Sequence, residues 1–128
     1  MDTDDEVYLL VPPEPRHLRS IRLVAADAGA RAGLDSSQIN DLKIAVDELC
    51  HAIMNETDDR ILVRVVVHGR HILVWGSVPA DHETPRVPRL HNAAELIVDA
   101  ATDYYALDHK SGKLSFVVTK QAVPTGVR

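Results

Sequence analysis

Ile39-Asn40-Asp41-Leu42-Lys43-Ile44-Ala45-Val46-Asp47-Glu48 is the stretch whose reading decides the fold. Ile39, Leu42, Val46, Leu49 and Ile53 step by 3, 4, 3 and 4, the repeat of one face of an α-helix. Asp35 stands where an N-cap belongs, with Gln38 three positions on, the spacing of a capping box. A polar stripe runs along another side: Ile44, Glu48, His51 and Asn55 step by 4, 3 and 4, with Asp47 beside them. A carboxylate, an imidazole and an amide on one helix face can orient water or hold a cation. The same stripe also fits the solvated edge of an amphipathic helix, and spacing alone leaves both readings open.

Working toward the N-terminus, Leu18, Ile21, Ala25, Ala28 and Ala32 repeat the helical step. Pro15 suits the first turn of that helix and Gly33 its C′ position. The two helices therefore form a hairpin joined at Gly33-Leu34 and pressed on an apolar layer. Before them, Glu6 to Val11 reads as a strand closed by Pro12-Pro13. Toward the C-terminus the period changes to two. Ile61, Val63, Val65 and Val67 share a strand face, with Arg64 and His68 on the other. A turn at His68-Gly69-Arg70-His71 leads to a return strand from Ile72 to Trp75. Gly76 to Leu90 holds Pro79, Pro85 and Pro88 and reads as a long loop. A third helix is predicted from about Asn92, burying Leu96, Ile97, Ala100 and Ala101. A short strand at Tyr104 to Leu107, a turn at His109 to Gly112 and a strand at Leu114 to Thr119 complete the chain. The order favours an α+β two-layer sandwich, three helices on one face of a mostly antiparallel sheet. A Rossmann-type unit lacks its alternating order and its Gly-rich first turn here.

The 128 residues make one domain over 1–128, with residues 1–5 and 121–128 expected as flexible tails. Nineteen acidic against fourteen basic residues give a net charge of −5, opposite to the field of a nucleic-acid binder. The single Cys50 excludes an internal disulfide framework and reads as a buried inert thiol. With no run of about 18–20 apolar residues and an acidic N-terminus, the expectation is a cytoplasmic chain with no membrane contact.

Several stretches resemble the RsbW/SpoIIAB group of anti-sigma factors, serine kinases of the GHKL (histidine-kinase-like, Bergerat-fold) ATPase superfamily. They are Leu10-Val11-Pro12-Pro13-Glu14-Pro15, Ile21-Arg22-Leu23, Ala32-Gly33-Leu34 and the run from Ile39 to Glu48 with its "DL-x-x-AV-x-E" pattern. The resemblance implies an α+β Bergerat sandwich, ATP and Mg²⁺ as cofactors, and a homodimer. It implies as partners a sigma factor, a STAS-type anti-anti-sigma factor, or both. It also makes Glu48 the general base toward a serine hydroxyl or water.

The rest of the implied ATP site departs from the family's pattern. The Asn expected four residues after Glu48, as a Mg²⁺ ligand, is Ala52. His51 and Asn55 flank that position, and an imidazole is a poor ligand for a hard cation. The adenine-binding Asp-x-Gly-x-Gly pattern, expected after Trp75, is replaced by Gly76-Ser77-Val78-Pro79-Ala80-Asp81. Only Gly76 is kept there, and Asp81 stands five residues late with no glycine after it. The phosphate-lid glycines expected before the third helix are absent from Val87 to Ala94, so the backbone has no easy approach to a polyphosphate. Arg86 and Arg89 could attract phosphate and equally fit a solvated loop. Candidate nucleotide-contacting residues are thus His51, Asn55, Gly76, Arg86 and Arg89, with Glu48 as candidate catalytic residue and no metal site. The seven histidines form no H-x-x-x-H cluster, and no serine has a Gly-x-Ser-x-Gly context.

The expected function is an anti-sigma-factor-like regulator acting by protein contact, with nucleotide binding weak or lost. The alternative is an active Mg-ATP-dependent serine/threonine kinase using Glu48 as base. Arg16, His17, Arg19, Ser20 and Arg22 are expected to give the first helix a positive exposed side that could steer an acidic partner.

Overall fold

The computed structural model describes residues 5–80 and 88–123. In these residues the elements run β1 (Asp5–Val11), α1 (Leu18–Arg31, preceded by a 3-10 turn at Pro15–His17), α2 (Ser36–Met54), β2 (Ile61–His68), β3 (His71–Pro79), α3 (Asn92–Ala101), β4 (Tyr104–Lys110) and β5 (Lys113–Gln121). The five strands form one sheet in the order β1-β2-β3-β5-β4, every neighbouring pair antiparallel. The three helices cover one face, the α+β two-layer sandwich the periodicity predicts.

Local chemistry sets the helix ends. Gly33 has φ +93° after the C-cap of α1, and Leu34 N–H reaches the Gly29 carbonyl at 3.0 Å. That left-handed residue lets the chain reverse within two positions. At once α2 starts: the Asp35 carboxylate accepts from Gln38 N–H at 2.8 Å, and the Gln38 side chain accepts from Asp35 N–H at 3.1 Å. This reciprocal box satisfies two N-terminal donors that a helix cannot satisfy itself.

Alternation sets the sheet faces. Ile61, Val63 and Val65 of β2, Ile72 and Val74 of β3, and Leu114, Phe116 and Val118 of β5 point into the core. There they meet Leu18 and Ile21 of α1 and Leu42, Val46, Leu49 and Ile53 of α2, all fully buried or nearly so. The opposite sheet face carries no layer of described residues, and Tyr8, Leu10, Leu62 and Tyr104 are exposed on it. There the Arg64 guanidinium lies 4.7 Å from the centre of the Trp75 ring and also pairs with Glu6.

Three expectations need correction. First, β3 does not end at Trp75; it pairs with β5 as far as Pro79↔Lys113. Pro79 is tolerated because it is the last residue of the strand, beyond Ser77, where pairing with β2 stops. The stretch Gly76–Pro79 is therefore ladder, and Asp81 lies outside the described residues. Second, α3 buries Ala94, Val98 and Ala101, whereas Leu96 is 71% and Ile97 44% exposed and Ala100 is exposed too. Third, the positive side of α1 is reduced. Arg16 pairs with Glu14 and Arg22 with Asp47, His17 is half-buried, and Arg19 and Ser20 remain exposed.

Asp5 opens β1 opposite Val67, and Gln121 closes β5 opposite His71. Residues 1–4 and 124–128 of the expected tails, and the 81–87 part of the expected loop with Arg86, lie outside the described residues. No helix of the described residues is long and apolar enough to cross a membrane.

Candidate functional site

The candidate site is built on α2, which packs between α1 and α3 over the centre of the sheet. Its apolar face, Leu42, Val46, Leu49 and Ile53, is buried against the sheet, and one ion pair marks the side that meets α1. The Arg22 guanidinium of α1 meets the Asp47 carboxylate at 2.6 Å, with both side chains about one-third exposed. That pair marks the α1-facing side of α2. At 100° per residue, Asp41, Glu48 and Ala52 fall on the other flank, toward α3. All three are half-buried, whereas Ile44 and Asn55 are exposed. The polar stripe of the sequence thus stays together on the helix and differs only in burial. Glu48 faces the α2–α3 valley. His51 sits half-buried over its own helix, its Nδ1 3.1 Å from the Asp47 carbonyl oxygen. As donor, that ring nitrogen makes the i→i−4 contact of a helix side chain turned back on its own backbone.

The position one turn after Glu48 carries only the methyl of Ala52. Asn55 is the C-cap of α2, its backbone N–H bonded to the His51 carbonyl at 3.2 Å, and its exposed side chain is a full turn beyond Ala52. Among the described residues, no group of three or more His, Cys, Asp or Glu side chains is placed to hold a metal.

Gly76 lies mid-strand on the core side of β3, opposite Phe116 in the β5 register. The Phe116 ring packs directly on its Cα, and an added Cβ would run into three ring carbons. The demand for glycine there comes from core packing. The strand end is closed by hydrogen bonds. Ala80 N–H donates to Gly112 O at 2.9 Å, His109 Nε2 lies 3.2 Å from Ala80 O, and Thr57 Oγ1 donates to Pro79 O at 3.1 Å. Arg89 is exposed between the end of the undescribed segment and α3. At the start of α3, His91 is the N-cap, its Nδ1 accepting from Ala94 N–H at 3.3 Å. The structure thus keeps Glu48, His51, Ala52 and Asn55 on the outer side of α2, the first three half-buried and Asn55 exposed, and places Gly76 in the core against Phe116.

Cys50, one position past Leu49, is fully buried in the core between helices and sheet. Burial, reinforced by the nearby Asp47 charge, pushes its thiol well above the ordinary range, so it is not a nucleophile at neutral pH. Sequence reasoning missed two structural contacts: the Arg22–Asp47 clamp, and Lys120, whose buried Nζ donates to the Ala101 carbonyl at 2.6 Å and closes the C-terminus of α3. Neither has a local signal, since each joins elements distant in the chain.

Comparison with known proteins agrees with this architecture. The chain is similar to the serine-protein kinase RsbW of Bacillus velezensis, 34% identical over 65 residues, which is 47% of this chain and 41% of that protein. Over the same length it is 32% identical to RsbW of Bacillus subtilis. The chain therefore spans about two-fifths of the length of these relatives. Its fold superposes on the RsbU and RsbW domains of Rv1364c from Mycobacterium tuberculosis with a TM-score of 0.70 at 15% identity, covering 91% of this chain and 32% of that one. The family described as the histidine kinase-like ATPase domain matches residues 11–124. With that match across nearly the whole chain, on a five-stranded antiparallel sheet backed by three helices, the chain belongs to the histidine kinase-like ATPase domain family.

Proposed function

We propose that this chain is an anti-sigma-factor-type regulator that works by protein contact, with nucleotide binding weak or lost. The observation that carries the reading is at position 52. On the flank of α2 that Glu48 shares, the next turn offers a methyl where a Mg²⁺-triphosphate needs an oxygen ligand. The other residues present do not fit the group either. Gly76 is committed to Phe116, and the residues from Pro88 into the first turn of α3 contain no glycine to let backbone N–H groups approach phosphate. Each missing charge-assisted contact weakens binding by about 1.5–3 kcal/mol, and two or three together by orders of magnitude.

The partners in this reading are a sigma factor, a STAS-type antagonist, or both, as in the proteins the chain resembles. Arg19 is exposed on α1, makes no ion pair with a described residue, and gives that helix its remaining positive point. A homodimer belongs to the same reading. The open sheet face offers Tyr8, Leu10, Leu62 and Tyr104 beside a shallow concavity of about 500 Å³ floored by Leu73 and Trp75. A second copy seated there in an isologous pairing would cover them.

Co-purification tests the partner reading. The chain, co-expressed with candidate sigma factors and STAS-domain proteins, is expected to retain at least one of them through size-exclusion chromatography, and Arg19→Glu is expected to weaken that complex. Retention of none would remove the partner claim. The kinase reading is favoured by one observation, the half-buried Glu48 carboxylate on the valley wall. It requires transfer of phosphate to a partner serine that Glu48→Ala abolishes.

A further inference from the structure

The outer surface of α3 is divided in a way that the expected burial pattern did not anticipate. Taking the buried residues Ala94, Val98 and Ala101 as the inner side, the helical step places Ala93, Leu96, Ile97 and Ala100 together on one flank and Glu95 and Asp99 on the other. All six are exposed. Burial, and then the charges of the nearby Asp99 and Glu95, raise the hydroxyl pKa of Tyr105 of β4. The apolar flank lies on the other side of the helix from these carboxylates.

The result is an exposed apolar ridge bordered along one side by the carboxylates of Glu95 and Asp99. Lone surface leucines are ordinary, but four apolar residues at helical spacing on one exposed flank form a continuous patch. Among the described residues, α3 carries no cation and none of its carboxylates forms an ion pair. Lys120, beneath its C-terminus, is buried and used by the Ala101 carbonyl, and Arg89 lies upstream of its first turn.

We propose that the apolar flank of α3, Ala93-Leu96-Ile97-Ala100, is a docking site for an amphipathic helix of a partner protein whose apolar stripe is edged by lysine or arginine. The i, i+3, i+4, i+7 pattern matches the way one helix lays its apolar side along another. The Glu95 and Asp99 carboxylates along its border select the partner's charge, since an acidic helix would face repulsion there. The surface is separate from the α1 face, so the proposal stands even if no sigma-type or STAS-type partner is found.

The test uses the full chain and two synthetic amphipathic peptides of leucine, alanine and lysine, the second with glutamate in place of each lysine, followed by fluorescence anisotropy. The lysine peptide is expected to bind at least about tenfold more tightly than the glutamate peptide, a difference of about 1.4 kcal/mol. Leu96→Glu is expected to reduce lysine-peptide affinity by about tenfold or more. Glu95→Lys with Asp99→Lys should reduce it by a similar factor, and Leu23→Glu, which alters an exposed leucine of α1, should leave it unchanged. These substitutions are at exposed positions, and an unchanged circular dichroism spectrum verifies folding. Absence of lysine-peptide binding, equal binding of the two peptides, or equal loss in Leu23→Glu overturns the proposal. Self-association in sedimentation that Leu96→Glu abolishes also overturns it, because the flank would then belong to a second copy.

Discussion

Substitution of Gly76 by alanine separates a packing role from a ligand role for the one residue kept from the implied adenine motif. Gly76 is buried in mid-β3, and a Cβ there meets the Cε2, Cζ and Cδ2 atoms of Phe116, a ring itself 1% exposed. The ring cannot swing outward, because Leu107 of β4 stands opposite Phe116 in the sheet and the helices lie above it. Gly76→Ala is thus an overpacking change, expected to cost about 2–3 kcal/mol. At this chain length each kcal/mol lowers Tm by roughly 3–6 °C. Phe116→Leu alone leaves a void and costs about 1–2 kcal/mol. In the double variant the smaller side chain makes room for the methyl, so its loss should be smaller than the sum of the two single losses by at least about 1 kcal/mol. Urea unfolding of the four proteins, with fluorescence of Trp75 as the signal, measures this cycle. Gly76→Ala as stable as the parent, or strictly additive losses in the double variant, would refute the packing argument.

Two further outcomes follow from buried polar groups. Cys50 has a thiol pKa raised by burial. Its contribution is fully present below the ordinary thiol value near 9.0 and falls as pH rises, by up to about 1.4 kcal/mol per unit. Stability of the parent should therefore decline more steeply between pH 9 and 11 than that of Cys50→Ala, and parallel curves would contradict the assignment. Lys120→Met keeps the aliphatic stem but removes the side-chain donor to Ala101 O. It should destabilise by about 1–3 kcal/mol and speed hydrogen exchange in α3 before α1 and α2; unchanged exchange in α3 would contradict the clamp.

How much of this was legible beforehand depends on how local each signal is. The α1–α2 hairpin was readable because Gly33, Asp35 and Gln38 act on their own backbone within four residues. The β2 strand was readable because valine alternation encodes a single buried face. The end of β3 was misjudged because Gly76 and Pro79 look like breakers in sequence. In the sheet, Gly76 is demanded by a ring from β5 and Pro79 lies past the last β2 pair. The buried side of α3 was misjudged because apolar residues cover more than half of that helix, so periodicity names two flanks and only packing chooses between them. On α2, the sequence grouped Glu48, His51 and Asn55. What it could not show are the contacts each side chain makes: the Arg22–Asp47 pair joins residues 25 apart, and the His51 ring turns back on the Asp47 carbonyl of its own helix.

Isothermal titration calorimetry of the full chain with ATP and Mg²⁺ tests the central claim most directly. The account predicts no saturable heat below about 100 μM ligand, an affinity weaker than roughly −5.5 kcal/mol, in the parent and in Glu48→Ala alike. Binding tighter than that in the parent, lost when Mg²⁺ is removed or Glu48 is changed, would contradict it.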